Sequence, residues 1–96
     1  MPDNSCLLQR IVIKEGDLTI HTVVAQEGLL LELIPMALEV EIDLGDVLEI
    51  DAAGLQLLIT AKTESLRLGR RLLLSNASEV TIMALQSRGL VRLLHA

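Results

Sequence analysis

Residues 37–44 (ALEVEIDL) constrain this chain more than any other segment. Leu38, Val40, Ile42 and Leu44 alternate with Glu39, Glu41 and Asp43. A period of two is that of a β-strand with one face on a core and the other in water. A strand covered by helices on both faces would read as a continuous apolar run instead. The expectation is a sheet covered on one face. Its acidic set reads as a solvated face balanced by Arg10 or Lys14 on a neighbouring strand. It is a poor cation site, because carboxylates strung along an open strand lack the convergent cage that Ca²⁺ or Mg²⁺ requires.

The rest of the chain alternates strand and helix patterns. Residues 1–8 read as a loose N-terminal segment. Residues 9–14 (QRIVIK) and 18–21 (LTIH) flank a Glu15-Gly16-Asp17 turn signal. They read as a β-hairpin with Ile11, Ile13, Leu18 and Ile20 inward. Thr22 is placed to cap a helix running to about Ile34, where Pro35 stops it. That helix carries Gly28 in its middle, and its leucines at 29–31 wrap round the axis.

A second helix opens at Asp51 and runs to about Leu68. Gln56, Thr60, Thr63 and Arg67 form its polar stripe, and Gly54, Leu55, Leu58, Ala61 and Ser65 its buried face. Gly69 suits the position after the helix end. Residues 71–74 form a short strand. The polar loop 75–78 contains a capping box, Asn76 with Glu79. A third helix follows to about Arg88, stopped by Gly89, and residues 90–94 offer a final short strand. The whole chain, 1–96, is thus one α/β domain in β-β-α-β-α-β-α order. The sheet is expected to be mixed and four- to five-stranded, with helices mainly on one face and right-handed crossovers.

Composition excludes several functions. The 96 residues include no Phe, Tyr or Trp, yet 51% are hydrophobic. The core is therefore aliphatic, disorder is excluded, and so are aromatic stacking platforms and methylammonium cages. Thirteen acidic residues against eight basic give a net charge of −5. No basic patch exists for nucleic acid. The one cysteine, Cys6, can form no intrachain disulfide, which fits a reducing compartment. No secretory signal opens the chain, and acidic residues cut every apolar stretch short of the ~18 residues of a membrane span. A cytoplasmic location without membrane insertion is expected.

No catalytic constellation is present. His21 and His95 lack partners at metal-ligand spacing, so neither a metal nor a cofactor is expected. The GxSxG, GxxxxGK[ST] and GxGxxG patterns do not occur. The chain reads as a binding module and not as an enzyme.

Residues 47–58 (VLEIDAAGLQLL) carry the most information. Asp51 reads as the N-cap, its charge complementing the positive helix end. Ala52, Ala53 and Gly54 form the first turn. As a binding site, their small side chains would leave the free N–H groups open to a partner or an anion. As plain structure, they form a capped helix start with small residues for close packing.

The pattern V-x-x-I-D-x-A-G-L-Q-L-L is borne by Val47, Ile50, Asp51 and the stretch 53–58. It is followed by Ala61 and Lys62, then Gly69, Arg70, Leu72 and Leu74, then Ser75 and Val80. This sequence of features resembles the STAS domain, the anti-sigma-factor-antagonist fold, over residues 9–94. It looks most like the small single-domain members encoded beside chemotaxis and two-component signalling proteins. The resemblance implies a non-enzymatic switch. A Ser or Thr directly after the motif Asp would be phosphorylated by a partner kinase, often an anti-sigma factor, and dephosphorylated by a phosphatase. A phosphate there adds roughly −1.5 to −2 charges to an exposed helix start and would repel its partner.

Here the acceptor position is Ala52, which has no hydroxyl. Whether lost naturally or replaced, the hydroxyl's absence locks the unphosphorylated, partner-competent form. By the same resemblance the partner surface comprises Asp51, Ala52, Ala53, Gly54, Gln56, Thr60, Ser75 and Asn76. The alternative reading is a small cytoplasmic STAS subunit on the ATPase of a bacterial lipid-transport ABC system. A small anionic ligand at the helix start is the least favoured reading, since no basic or glycine-rich cradle accompanies it.

Overall fold

The computed structural model describes residues 8–95. Its elements run β1 (Leu8–Lys14), α1 (Val23–Leu33), β2 (Ala37–Asp43), α2 (Ala52–Arg67), β3 (Arg71–Ser75) and α3 (Glu79–Ser87). Short 3₁₀ turns occupy Ile34–Met36 and Val91–Leu94. Residues 1–7, with Cys6, lie outside the described residues, and Leu8 already belongs to β1.

The alternating segment forms the central strand. β2 pairs in parallel with β1 on one side and β3 on the other. Two right-handed crossovers stepping in the same direction place α1 and α2 on one face of the sheet. Val40, Ile42, Leu72 and Leu74 point into that face and meet Leu30 and Ile34 from the α1 region and Leu57, Leu58 and Ala61 from α2. The polar stripe of α2 lies outward, and Gly54, Leu55, Leu58, Ala61 and Ser65 are all buried, as the periodicity predicts. Gly69 and Gly89 end α2 and α3 in the left-handed conformation at φ 68°.

The other face carries charge. In register, Arg10, Glu39 and Arg71 stand side by side across the three strands. Glu39 pairs with Arg10 at 3.4 Å and with Arg71 at 3.5 Å. Arg10 also pairs with Glu41, which accepts a 2.6 Å hydrogen bond from Ser75 Oγ. Lys14 instead meets Asp46, at 3.8 Å. Glu15, at the end of β1, has its side chain turned into the protein, and burial pushes its carboxyl above the ordinary range.

The structure corrects several expectations. The opening hairpin does not form: among the described residues the sheet has three strands, all parallel. Beyond β1 the chain runs on to the loop before α2 and does not fold back. Leu18 N donates to Glu49 O at 3.0 Å and Asp51 N to Leu18 O at 3.2 Å, a single parallel bridge to Ile50. Asp17 Oδ1 fixes this docking by accepting from Leu48 N and Glu49 N. Leu18 is buried but Ile20 is 66% exposed.

Thr22 precedes α1 but does not cap it. Its Oγ1 accepts from Thr19 N and donates to Asp17 O, both at 2.9 Å. Leu38, in phase with the core, is exposed at the strand entrance, where Ala37 is buried instead. Ser78, not Asn76, caps α3, accepting from Thr81 N at 3.3 Å. Residues 91–94 coil into a 3₁₀ turn that lays Leu93 and Leu94 on the core, and add no strand.

Candidate functional site

The start of α2 is assembled from two parts of the chain. Asp51 has extended backbone (φ −118°, ψ −172°), which frees its carboxylate to turn back over the first turn. Oδ1 accepts from Gly54 N at 3.0 Å, and Oδ2 accepts from Ile20 N at 2.9 Å. One carboxylate therefore caps the helix and ties down the segment before α1. The Ile20 N–H, then those of Gly54 and Ala53, with a smaller contribution from His21, hold this carboxyl below the usual range.

Gly54 completes the join. A Cβ at this position would collide with the carbonyl of Leu18, so only glycine lets α2 settle on that backbone. The close-packing role of the small first-turn residues is thus real. Of the first-turn N–H groups, that of Gly54 is buried and already serves Asp51.

What the helix start does present is side chain. Ala52 is exposed and Ala53 half-buried. The neighbouring loops expose large apolar groups: Ile20 at 66%, Leu48 at 75% and, on the first turn of α1, Val24 at 82%. An open groove of about 200 Å³ separates α1 from α2, lined by Val23, Val24, Glu27, Ala53, Gln56 and Leu57. Gln56 is exposed and reaches Thr60 Oγ1 at 3.4 Å.

Ser75 and Asn76 make their own set of contacts with the end of β2. Ser75 is engaged by Glu41. Asn76, in the left-handed region at φ 52°, donates to Asp43 Oδ1 at 3.2 Å. The same oxygen accepts from Gly45 N at 2.8 Å. That backbone bond first, and Asn76 after it, hold the Asp43 carboxyl low. Among the described residues no hydrogen bond or ion pair joins this cluster to Asp51–Thr60. The β3 end, paired in parallel with the end of β2, and the loop that leads from β2 to α2 leave the same end of the sheet.

Sequence reasoning missed Ile20, Val24, Leu48 and the lining Glu27. Ile20 was assigned to a strand interior. Val24 carries a signal, since it belongs to a helix whose apolar residues spread round the axis instead of forming one stripe. Among the described residues no three His, Cys, Asp or Glu side chains are grouped to hold a metal. No helix there is long and apolar enough to cross a membrane.

Comparison with known proteins agrees with this architecture. The family model described as "Mlab, STAS domain" matches residues 10–95. Among solved structures, the anti-sigma factor antagonist SpoIIAA in its unphosphorylated form is similar at a TM-score of 0.74 and 21% identity, covering 86% of this chain and 75% of that one. A sulfate transporter family protein from Wolinella succinogenes is similar at 0.70 and 24% identity, covering 91% of this chain and 70% of that one. At these identities the likeness is one of fold. Among curated proteins none matches.

Proposed function

The chain belongs to the STAS domain family, and from that membership we propose that it is a non-enzymatic regulatory module whose α2 start binds a signalling protein. The observation that carries this reading is the exposed Ala52 on a helix start flanked by exposed apolar side chains. Asp51 already accepts the Gly54 N–H, and Ile20, Val24 and Leu48 expose apolar surface on the adjoining segments. Such a surface suits another protein better than a free anion. Ala52 occupies the place where the family carries its phosphorylated hydroxyl, so this chain stays in the binding form. The partner is then a serine kinase of the anti-sigma-factor type or a related signalling kinase, with a phosphatase needed only where the hydroxyl is present.

The test is affinity capture from the source cell, read by mass spectrometry, with the chain and with Ala52→Glu as bait. The chain should recover a kinase or anti-sigma factor. Ala52→Glu, which imitates the charge of a phosphate, should recover it about tenfold less. Equal recovery by both baits would overturn the reading. The alternative, a STAS subunit on a lipid-transport ABC ATPase, uses the same surface with another partner. Recovery of an ABC ATPase in the same experiment selects it.

A further inference from the structure

We propose that the outward face of α1 docks an amphipathic helix of another protein, apolar along its centre and basic along its flanks. The proposal extends the interface at the α2 start and shares with it only the premise that the occupant is a protein.

The first observation is a mismatch between α1 and its surroundings. Its sequence, VVAQEGLLLEL, has three polar residues, Gln26, Glu27 and Glu32. A helix whose apolar residues are spread round its axis normally buries most of them. Here Leu30 is the only residue of α1 that is fully buried. Val24 is 82% exposed, Leu29 48% and Leu31 39%, and Met36 just beyond the helix is 47% exposed. Ala25 and Gly28 lie exposed between them. Nothing stands within 4 Å of where a Gly28 Cβ would be, which leaves a notch for a partner's side chain or backbone. Val24 also lines the groove shared with Ala53 and Gln56, so this face is continuous with the α2 start.

The second observation identifies the occupant. Between Lys14 and Lys62 the chain contains no Lys or Arg. While Glu39, Glu41 and Asp46 there pair with bases from other segments, Glu27 and Glu32 of α1 make no ion pair among the described residues. The only charged residues of α1 are Glu27, which lines the groove, and Glu32, which is exposed. A second copy of this chain on the α1 face would set carboxylates against carboxylates. An anionic membrane surface recruits helices flanked by Lys and Arg, and none are here. A helix with an apolar stripe and Lys or Arg beside it complements both the exposed apolar residues of α1 and the carboxylates of Glu27 and Glu32.

The absence of Trp, Tyr and Phe makes the test direct, because a tryptophan on the ligand is seen against a dark protein. The probe is a synthetic helical peptide of about 18 residues, long enough to hold a helix. It carries a Leu stripe, one Trp and Lys flanks, and a matched peptide carries Glu flanks. The Lys peptide should bind the chain saturably, with affinity falling as salt rises. Val24→Glu and Leu29→Glu, both folded by circular dichroism, should weaken it about tenfold or more. Leu66→Glu, at an exposed position of α2, should leave it unchanged. Equal binding of the two peptides, or indifference to the α1 substitutions, would overturn the proposal. So would a dimer in sedimentation velocity that Leu29→Glu dissociates, or flotation with phosphatidylserine-containing vesicles. Loss of peptide binding in Ala52→Glu alone overturns the α1 face while leaving the α2 reading intact.

Discussion

Asp51 and Gly54 show how much of a site rests on single residues. Asp51 joins two segments with its two oxygens, and Gly54 removes the one atom that would hold them apart. The obstacle at Gly54 is the Leu18 carbonyl, which also accepts the N–H of Asp51, so it cannot swing aside alone. Gly54→Ala should destabilise the chain by about 1–3 kcal/mol, the usual cost of overpacking. Urea unfolding should show the loss as a lower midpoint at unchanged slope. A substitution that leaves the midpoint in place would mean that the α2 start and Leu18 are not in close contact. The cap was legible in the sequence because an Asp before an apolar-periodic run has a local chemical reason to be there. The identity of Gly54's neighbour was not, because Leu18 is remote in sequence and only packing brings it there.

At the scale of elements, the segment between β1 and α1 separates local pattern from tertiary role. LTIH alternates like a strand, but four residues of alternation do not specify a partner. The actual partner is the loop before α2, and the contact is a single bridge. Leu18 therefore acts as a buried plug outside any regular element, while Ile20 stands in solvent. Leu18→Ala should cost about 2–5 kcal/mol, as core leucines do. Ile20→Ala should stay within about 0.5 kcal/mol. Thermal or urea unfolding of the pair distinguishes this arrangement from a hairpin, in which both substitutions would be costly. The longer patterns fared better. From Glu39 on, the alternation of β2, like the polar stripe of α2, lies where its period puts it, because each extra turn or pleat repeats the same constraint.

For the whole molecule, the decisive fact is a sheet with one packed face and one face of ion pairs. Val40 and Val12 both lie in strands, but Val40 is fully buried and Val12 is 59% exposed on the side of Arg10 and Glu41. Val40→Thr buries a hydroxyl in an aliphatic layer and should cost about 1–3 kcal/mol. Val12→Thr should change stability by less than about 0.5 kcal/mol. Matched losses at both sites in chemical denaturation would show that the second face is covered after all.

The sequence by itself determined the one-sided sheet, the helices α2 and α3 with their glycine stops, the aliphatic core and the family. Each of these follows from periodicity or from residues adjacent along the chain. Only the tertiary structure decided the parallel three-strand order, the docking of Leu18 on α2, and the engagement of Ser75 and Asn76 by the carboxylates of β2. It also decided that α1 keeps an apolar face in water. These depend on which distant segments meet, and a pattern read along the chain records what a segment can bury but not what it is buried against.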